Sequence, residues 1–401
     1  MAKTILMLGG SPQQIVAIKA AKQLGYRTVL CDYLPNNPGQ CEADVFYQVS
    51  TTDKVAILHV AQTEKVDGIL AYASDPASPT AAYVAERLGL PTNPLSAVET
   101  MSQKHLFRDH LKTYGFPCPW SISFSLDADL EMIWRQIEAL DSAIIVKPTD
   151  SSGSKGVSVV RSRHSFEHAV EIARAISRNG ILVVEEYLEK EYPHVVGGDV
   201  FVIDGQIEFW GLMDCARDDH ADLIPTGKMY PAGLAAAQDD AIKKVLQDLV
   251  SSLGIRFGEL NVEVILAKGG VPYVIELGSR AGGNMIPVQL SDMSGIDLVE
   301  ANVLCAMGEK PNGIEFDRPK RAYATHVLHS LQKGKFASVQ IDDELSPHVY
   351  RMVLYAKEGD AVEPFNGANK ALGIVFMKFD SLQQMNDNMA KINEHIHISL
   401  R

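Results

Sequence analysis

Short apolar runs alternate with amphipathic segments along residues 1–95. Apolar runs of strand type cover 4–8, 28–31 and 68–72, and apolar repeats of helical spacing cover 15–24, 54–64 and 79–88. Strands that alternate with helices in this way form a parallel sheet with helices on its faces. The pattern predicts a small doubly wound α/β domain over residues 1–95.

The pattern changes after residue 95. A short helix that begins near Ser96 or Thr100 and carries Lys104 is expected first, and helices are predicted at 165–178 and 239–253. Strand-like runs follow at 144–147, 157–160, 181–185, 199–203, 207–213, 261–267 and 272–277. Strand pairs with helices on one face indicate an α+β layer over 96–310. We predict a smaller α+β domain over 311–401, with a terminal helix at 381–392.

Composition limits the classes of partner. The chain has 401 residues, 46% of them hydrophobic, and a formal net charge of −13. It has no run of five or more residues rich in lysine and arginine, so we expect neither nucleic acid nor an anionic membrane as a partner. A polyanionic substrate would need local basic groups and a metal ion.

The sequence also gives no sign of secretion or of disulfide bonds. The apolar run at 5–8 is too short for a signal peptide, and no stretch of about 18 apolar residues occurs. The five cysteines are scattered and lack C-x-x-C spacing, so we expect reduced thiols and no zinc site. We predict a soluble, cytoplasmic protein.

The first strand-to-helix turn reads Gly9-Gly10-Ser11-Pro12, and Asp32 follows the second strand. A glycine turn at a helix N-terminus is a favourable place for an anion. A nicotinamide oxidoreductase is therefore one alternative. The turn is not G-x-G-x-x-G, however, so this interpretation is weak.

Two carboxylates and an arginine mark the second half of the chain. Glu263 and Glu276 lie in successive strand-like runs, and Arg280 follows the second. Because Mg2+ prefers carboxylate oxygens and substrate phosphates, this pattern is typical of a magnesium–phosphate site. Arg280 would face the charge on a transferred phosphoryl group. The alternative is two acidic residues at a sheet edge and a solvated arginine.

Upstream features favour a phosphate site. The loop at 150–157 is rich in serine and glycine, lies between two strand runs, and could place backbone N–H groups over phosphates. A flexible surface hairpin is the alternative. Lys147 lies inside the preceding apolar strand, where a buried ammonium needs a partner, and we expect a phosphate to be that partner. A further strand run ends in Glu185-Glu186-Tyr187-Leu188.

Taken in this order, the motifs resemble the ATP-grasp superfamily, in its carboxylate–amine ligase branch, over nearly the whole chain. The resemblance implies an ATP-grasp fold with a Rossmann-like N-terminal domain (1–95), a nucleotide-binding and catalytic domain (96–310) and a C-terminal domain (311–401). Lys104 and Lys147 correspond to the two nucleotide lysines, Glu263 and Glu276 to the magnesium ligands, and Arg280 to the arginine after them. The lid corresponds to Ser152, Gly153, Ser154, Lys155, Gly156 and Val157, and the adenine hinge to Glu185, Glu186, Tyr187 and Leu188, with Glu185 and the Leu188 backbone as its main contacts.

Two positions depart from the family pattern. Gly278 stands where the family usually has asparagine, so one metal ligand is missing or is supplied by Ser279 or Asn284. The acidic residue that contacts ribose is displaced, and Glu191 or His194 would substitute.

Two further cations lie between the hinge and Glu263. Arg217 and Lys228 lie where the family places a cation near the triphosphate or the acyl phosphate, or they are ordinary loop residues. Their role is left open at the level of the sequence.

The resemblance implies an ATP-dependent ligase that activates a carboxylate as an acyl phosphate and joins it to an amine. ATP and Mg2+, with Mn2+ as a substitute, are the expected cofactors, and a homodimer is expected. Pockets for the two small-molecule substrates would lie between residues 10–11, 74–75 and 280–284. The alternatives are a bicarbonate-activating enzyme of the carboxylase or carbamoyl phosphate synthetase type, and an ATP-binding regulator without chemistry.

Overall fold

The N-terminal segment folds into a parallel sheet, as the alternation of strands and helices predicts. The structure is a computed structural model that describes residues 2–140, 142–217, 224–316 and 319–401. The four strands, in the order β3-β2-β1-β4, are β1 (Thr4–Leu8), β2 (Arg27–Asp32), β3 (Val45–Gln48) and β4 (Gly68–Leu70). Helix α1 (Ile15–Gln23) connects β1 to β2, α2 (Lys54–Glu64) connects β3 to β4, and α3 (Ser78–Leu88) follows β4. All five residues of β1 are buried, as expected of a strand covered on both faces.

Two helices, rather than one, link this sheet to the next. They are α4 (Leu95–Ser102) and α5 (Lys104–Thr113), and Gln103 between them has extended backbone angles. The predicted single short helix is therefore corrected: Lys104 is the first residue of α5. Its position at a helix start directs its side chain toward the loop after β6, described below.

A small antiparallel sheet comes next. It contains β5 (Ser121–Ser125), β6 (Ile144–Pro148), β7 (Ser158–Val160) and β8 (Ile181–Glu186), in the order β5-β8-β6-β7. Helices α6 (Leu130–Ile137) and α7 (Arg163–Ile176) belong to the same segment. The Ser/Gly-rich loop joins the antiparallel strands β6 and β7, which is the hairpin predicted from the sequence.

The largest sheet begins with five antiparallel strands. They are β9 (Val195–Ile203), β10 (Gln206–Arg217), β11 (Pro225–Tyr230), β12 (Gly258–Ala267) and β13 (Val271–Gly278). Helices α8 (Ala236–Leu253), α9 (Ile286–Ser294) and α10 (Leu298–Ala306) accompany them. Leu249 and Val250 of α8 pack with Val262 of β12 in one buried cluster, which covers one face of the sheet.

The C-terminal segment extends that sheet. It contributes β14 (Ala322–Leu328), β15 (Gly334–Ile341), β16 (Val349–Leu354), β17 (Ala361–Val362), β18 (Gly373–Phe379) and β19 (Ile396–Leu400), with α11 (Leu382–Met389) and α12 (Ile392–His395). The eight-stranded order is β13-β12-β9-β10-β11-β14-β18-β16, and a three-stranded sheet has the order β17-β15-β19. Because β11 pairs with β14, the large sheet contains strands from both sides of the predicted boundary at residue 310. The domain boundaries at 95 and 310 stay predictions.

Strand β9 is longer than predicted, because it continues through Gly197 and Gly198. Adjacent glycines usually weaken a strand. Here Gly198 has φ +116°, and an added Cβ would come 2.0 Å from the carbonyl oxygen of Gly211 on β10. The close approach of two backbones therefore requires glycine at this point. No helix in the described ranges is long and apolar enough to cross a membrane.

We expect Gly198→Ala to lower the free energy of unfolding by at least about 3 kcal/mol, because it combines left-handed strain with a clash against β10. Gly25→Ala is the matched control: its φ is +82° and no heavy atom lies within 4 Å of the added Cβ. That control should lose only about 1 kcal/mol. Urea unfolding of both variants tests the difference, and equal losses would show that the contact with Gly211 does not matter.

Candidate functional site

A cavity lies between the small sheet and the large sheet, and most of the predicted site residues line it. The predicted residues in its wall are Lys104, Lys147, Ser152, Ser154, Val157, Glu185, Glu186, Tyr187, Leu188, Arg217, Glu263 and Glu276. The wall also contains Ser151 of the predicted loop at 150–157, and residues that the sequence did not single out, namely Ile145, Lys190, Val195, Ile265 and Ile275. Segments far apart in the chain thus meet at one place.

The two acidic residues predicted as metal ligands are directly opposite each other. Glu263 of β12 pairs with Glu276 of β13, and a bulge beside this pair places Ile275 and Glu276 in the cavity wall together. Burial raises the pKa of Glu276; Lys104 lowers it, and Glu263 and Asp75 raise it. Paired, partly buried carboxylates are a donor set that suits Mg2+.

A buried ion triad holds the base of the cavity. The Glu185 carboxylate lies 2.9 Å from Arg108 Nε and 2.6 Å from Lys147 Nζ, and its side chain is 4% exposed. Arg108, on α5, also donates to the carbonyl oxygen of Ile275 on β13 at 2.9 Å. Burial alone would raise the pKa of Glu185, but Arg108 and Lys147 outweigh it and hold that pKa at about 2. Burial lowers the pKa of Lys147, and Glu185 opposes this.

The triad changes what the sequence suggested for two residues. Lys147 was expected to meet a phosphate, and in the structure its partner is Glu185. The Glu185 side chain, expected to contact adenine, is likewise engaged by Lys147 and Arg108. Arg108 was missed. The one sequence signal for it is a charged residue between Phe107 and Leu111, both buried on the same helix.

The hinge offers its backbone to the cavity. The N–H groups of Glu186 and Tyr187 donate to the carbonyl oxygens of Trp120 and Ala143 at 2.9 Å each. For the Leu188 N–H we find no partner within the described ranges, and Leu188 lines the cavity. This donor is therefore available to a ligand in the cavity, and its contact with adenine stays a prediction.

The lid loop is anchored at its base and at Lys104. Lys104 Nζ donates to the carbonyl oxygen of Ser151 at 2.6 Å, and the Ser151 hydroxyl donates to the carbonyl oxygen of Lys155 at 2.9 Å. Asp150 accepts from the backbone N–H of Asn179 at 2.8 Å. Gly153 and Gly156 have φ of +67° and +75°, so glycine suits both turns.

Arg280 is bound to the N-terminal segment. Its Nε and Nη2 donate to the two carboxylate oxygens of Asp75 at 2.6 and 2.7 Å. Burial opposes ionisation of Asp75, but Arg280, with Lys104 and Ser152, lowers its pKa. A Cβ at Gly278 would come 3.1 Å from Asp75 Oδ1, so this glycine leaves room for the ion pair. An asparagine there, as in the family pattern, would crowd it.

Asp75 belongs to a second cavity that adjoins the first. The two cavities share Lys104, Ser151, Ile275 and Glu276. Segment 280–284 also touches the first turn of the chain, since the Asn284 N–H donates to Gln13 Oε1 at 3.0 Å. The places predicted to surround the substrates are therefore neighbours in the structure.

The two additional cations differ in position. Arg217 lines the cavity. Lys228 is buried below it, where its Nζ donates to Cys215 Sγ at 2.7 Å. Burial lowers the pKa of Lys228, but Cys215 and Glu263 outweigh this effect and the pKa is raised. Part of the segment between them, residues 218–223, lies outside the described residues.

The remaining predicted residues are not in the cavity wall as described. Gly153, Lys155 and Gly156 belong to the lid beside it, and His194 packs edge-on against Tyr192 at 5.9 Å between ring centroids. Glu191, the other candidate for ribose, accepts from the Gly269 N–H at 2.5 Å and so closes the β12–β13 turn. A ribose contact by His194 stays a prediction.

Comparison with known proteins agrees with this geometry. Residues 140–288 match the family model of the ATP-grasp domain. The formate-dependent phosphoribosylglycinamide formyltransferase of Haloquadratum walsbyi is 25% identical over 89% of this chain and 86% of its own length. The carbamoyl phosphate synthase large chain of Clostridium beijerinckii is 24% identical over 86% of this chain, which spans only 33% of that relative.

Solved structures show the same architecture. The L-amino acid ligase from Bacillus licheniformis superposes with a TM-score of 0.82 at 21% identity, covering 100% of this chain and 99% of that one. The biotin carboxylase domain of the Hydrogenobacter thermophilus 2-oxoglutarate carboxylase, solved with MgADP and bicarbonate, gives 0.79 at 18% identity, covering 100% and 91%. The predicted ATP-grasp fold is confirmed. The prediction of an enzyme of the ATP-grasp ligase class is confirmed as a class, and its substrates stay a proposal.

We expect Arg108→Met to lower the free energy of unfolding by about 3 kcal/mol at neutral pH, because Glu185 loses one of two buried cations. Arg135→Met removes a surface arginine whose side chain is 72% exposed and which pairs with Glu131, and should cost below about 1 kcal/mol. Denaturant unfolding of both variants measures the costs. Equal costs would contradict a stabilising role for the triad.

The free energies of unfolding of the wild type and of Arg108→Met should also depend differently on pH. The Glu185 pKa is depressed from 4.5 to about 2, so its stabilisation is present above 4.5 and is lost as the pH falls toward 2. In Arg108→Met the folded-state pKa of Glu185 should rise. The difference in free energy of unfolding between the wild type and this variant should therefore narrow as the pH falls from 6 to roughly 3. A gap that stays constant would show that Arg108 does not govern this ionisation.

Proposed function

We propose that this chain, which carries an ATP-grasp domain, is an ADP-forming ligase that joins a carboxylic acid to an amine through an acyl phosphate. The observation that carries the proposal is the convergence of Lys104, Lys147, Glu263 and Glu276 on one cavity, with Arg280 beside it. The name of the amino acid ligase neighbour supports a ligase, and neither that name nor the name of the formyltransferase relative describes hydride transfer.

Different residues of the cavity would contact different parts of the nucleotide. Adenine would bind at the hinge, where Leu188 N–H is available, and the phosphates would extend toward Lys104, Lys147 and the lid. Ser152 and Ser154, in the cavity wall, would cover the phosphates. Gly153, Lys155, Gly156 and Val157 belong to the same loop, and as parts of the lid they would also lie over the phosphates.

Glu263 and Glu276 would hold Mg2+, with Mn2+ as a substitute. Bound there, the ion would neutralise the triphosphate as charge builds on the transferred group. Gly278 supplies no further ligand, and Asn261, its partner across the strands, already donates to Asp199 at 2.8 Å and to the Gly198 carbonyl oxygen at 3.0 Å. The two glutamates would therefore be the main ligands that the protein supplies to the metal ion.

The chemistry requires positioning and charge rather than a protein nucleophile. An oxygen of the substrate carboxylate attacks the γ-phosphorus and the bond to ADP breaks, which gives an acyl phosphate. The amine nitrogen then attacks the acyl carbon, phosphate leaves, and the nitrogen loses a proton. Arg280 would hold the acid or its phosphate, Arg217 and Lys228 would add positive charge, and the lid would exclude water that hydrolyses the intermediate.

Bicarbonate in place of the organic acid is the second candidate. It is favoured by the bicarbonate in the 2-oxoglutarate carboxylase neighbour and by the carbamoyl phosphate synthase relative. ADP release across a matrix of carboxylic acids, bicarbonate and amines, with mass spectrometry of products, separates the candidates. A condensed mass that needs both acid and amine supports the ligase, bicarbonate dependence supports the second candidate, and ATP binding without release supports a regulator.

The predicted homodimer also stays a proposal. The neighbouring biotin carboxylase domain was solved as a dimer, which supports it. Light scattering over a range of concentrations measures the mass of this chain in solution.

We expect Glu276→Gln to lower the rate of ADP release at least tenfold with an unchanged thermal unfolding temperature, because one carboxylate of the proposed metal pair is lost. Glu171→Gln is the control: this glutamate is 62% exposed and pairs with Arg174 on α7. It should keep full activity. A Glu276 variant with more than a tenth of wild-type activity would contradict the metal assignment.

Asp75→Asn should lower the KM for the acid substrate several-fold and leave the KM for ATP unchanged. The reason is that Asp75 occupies the Nε–Nη2 edge of Arg280 at 2.6 and 2.7 Å, and Nη1 donates to the Ala281 carbonyl oxygen at 3.0 Å, so an incoming carboxylate must compete with Asp75. Steady-state kinetics at saturating amine measure both constants, and thermal unfolding checks that the fold persists. A higher KM for the acid would instead show that Asp75 binds a cationic group of that substrate.

A further inference from the structure

A pair of buried carboxyl groups lies behind the loop that carries Arg280. Asp199 on β9 is 0% exposed and Glu259 on β12 is 4% exposed. The two carboxyl groups interact directly, and each changes the pKa of the other. Neither residue belongs to the site predicted from the sequence.

The other contacts decide which residue carries the proton. Asp199 Oδ1 accepts from Asn261 Nδ2 and Asp199 Oδ2 from the Gly282 N–H, both at 2.8 Å. Glu259 Oε2 accepts from Asn302 Nδ2, whereas Glu259 Oε1 has no other hydrogen-bond donor within the described residues. Asp199 is thus an acceptor on both oxygens, and Glu259 must be the donor between the two. The pair therefore needs one shared proton.

The pair holds the backbone on both sides of Ala281. The Asn261 N–H donates to the Arg280 carbonyl oxygen at 3.1 Å, and the Asn261 side chain donates to Asp199. Asp199 in turn accepts from the Gly282 N–H. A Cβ at Gly282 would lie 2.6 Å from Asp199 Oδ1, so the loop packs directly on the carboxylate.

We propose that Glu259 is a positioning residue for the proposed ligase reaction: by sharing a proton with Asp199 it keeps the Arg280–Gly282 backbone, and with it the Arg280 guanidinium, in place. The inference rests on the proposed function. Loss of the shared proton at alkaline pH would put two buried negative charges in contact, and their repulsion would displace Asp199 and the loop that it holds.

Charged and titratable groups from the surrounding elements act on the pair. Arg280 in the loop favours ionisation of both carboxyls, and Lys228 of β11 interacts favourably with Asp199. Tyr72 after β4 and Cys305 of α10 have raised pKa values, owing to burial first and to Glu259 second. Burial raises the pKa of Glu259 well above 4.5, with Asp199 adding to the effect, and this outweighs Arg280. Burial and the neighbouring Asp199 thus favour the protonated form of Glu259.

The first test compares the pH profiles of kcat/KM for the acid in the wild type, Glu259→Gln, Glu259→Ala and the control Glu208→Gln, an exposed glutamate on β10. Glutamine can donate to Asp199 without a titratable proton. We expect Glu259→Gln to stay within about threefold of the wild type at neutral pH and to lose the fall in rate on the alkaline side. Glu259→Ala should be at least tenfold slower, and Glu208→Gln should match the wild type.

The second test needs no activity. A carboxyl with a raised folded-state pKa stabilises fully below its unfolded pKa, near 4.5, and loses that contribution as the pH rises. The folding equilibrium constant of the wild type relative to Glu259→Gln should therefore fall by up to about tenfold per pH unit above 4.5. Glu208→Gln should show no such trend.

The outcomes separate the two proposals. If the ratio of folding equilibrium constants, wild type to Glu259→Gln, does not change with pH, the shared proton is overturned, whatever the activity. If that ratio changes with pH but kcat/KM of Glu259→Gln still falls at alkaline pH as in the wild type, the positioning role is overturned. Absence of ligase turnover in the wild type across the substrate matrix would overturn the proposed function and, with it, the role assigned to Glu259.

Discussion

The buried carboxylate of Glu185 is the contact on which the geometry of the site depends. It joins β8 to α5 through Arg108 and to β6 through Lys147, and Arg108 reaches across to Ile275 on β13. Separating any partner would leave an uncompensated charge in the interior, which costs several kcal/mol. The small sheet, α5 and the edge of the large sheet are therefore fixed relative to one another. The distance from Lys147 to Glu276 follows from this frame.

Much of the fold could be predicted because burial leaves a regular trace in the sequence. Strand β1 is apolar throughout because helices cover both faces of its sheet, and β12 alternates because only one face meets α8. Prediction failed where a distant contact overrides local preference. The paired glycines of β9 belong to a strand because β10 approaches too closely for any side chain, and nothing within β9 reports that approach.

The candidate site divides in the same way. The opposition of Glu263 and Glu276 could be predicted, since two strands joined by a short turn bring matching positions together. The engagement of Glu185 by Arg108, and of Arg280 by Asp75, could not, because these partners lie 77 and 205 positions apart in the chain. Gly278 makes the point most clearly. In the sequence it is a missing metal ligand, and in three dimensions it is a position where a Cβ would come within 3.1 Å of the Asp75 carboxylate.

Strand β12 connects the two halves of the proposed machinery. Glu259, Asn261 and Glu263 alternate with Leu260 and Val262, which pack into the core cluster with α8, so the three polar side chains share the opposite face. One end of this row pairs with Glu276, the middle holds the Arg280 carbonyl oxygen, and the other end meets Asp199. A strand is too stiff for these points to move independently. In our proposal, the position of Arg280 relative to Glu263 therefore depends on the shared proton of Asp199 and Glu259 as well as on the ion pair with Asp75.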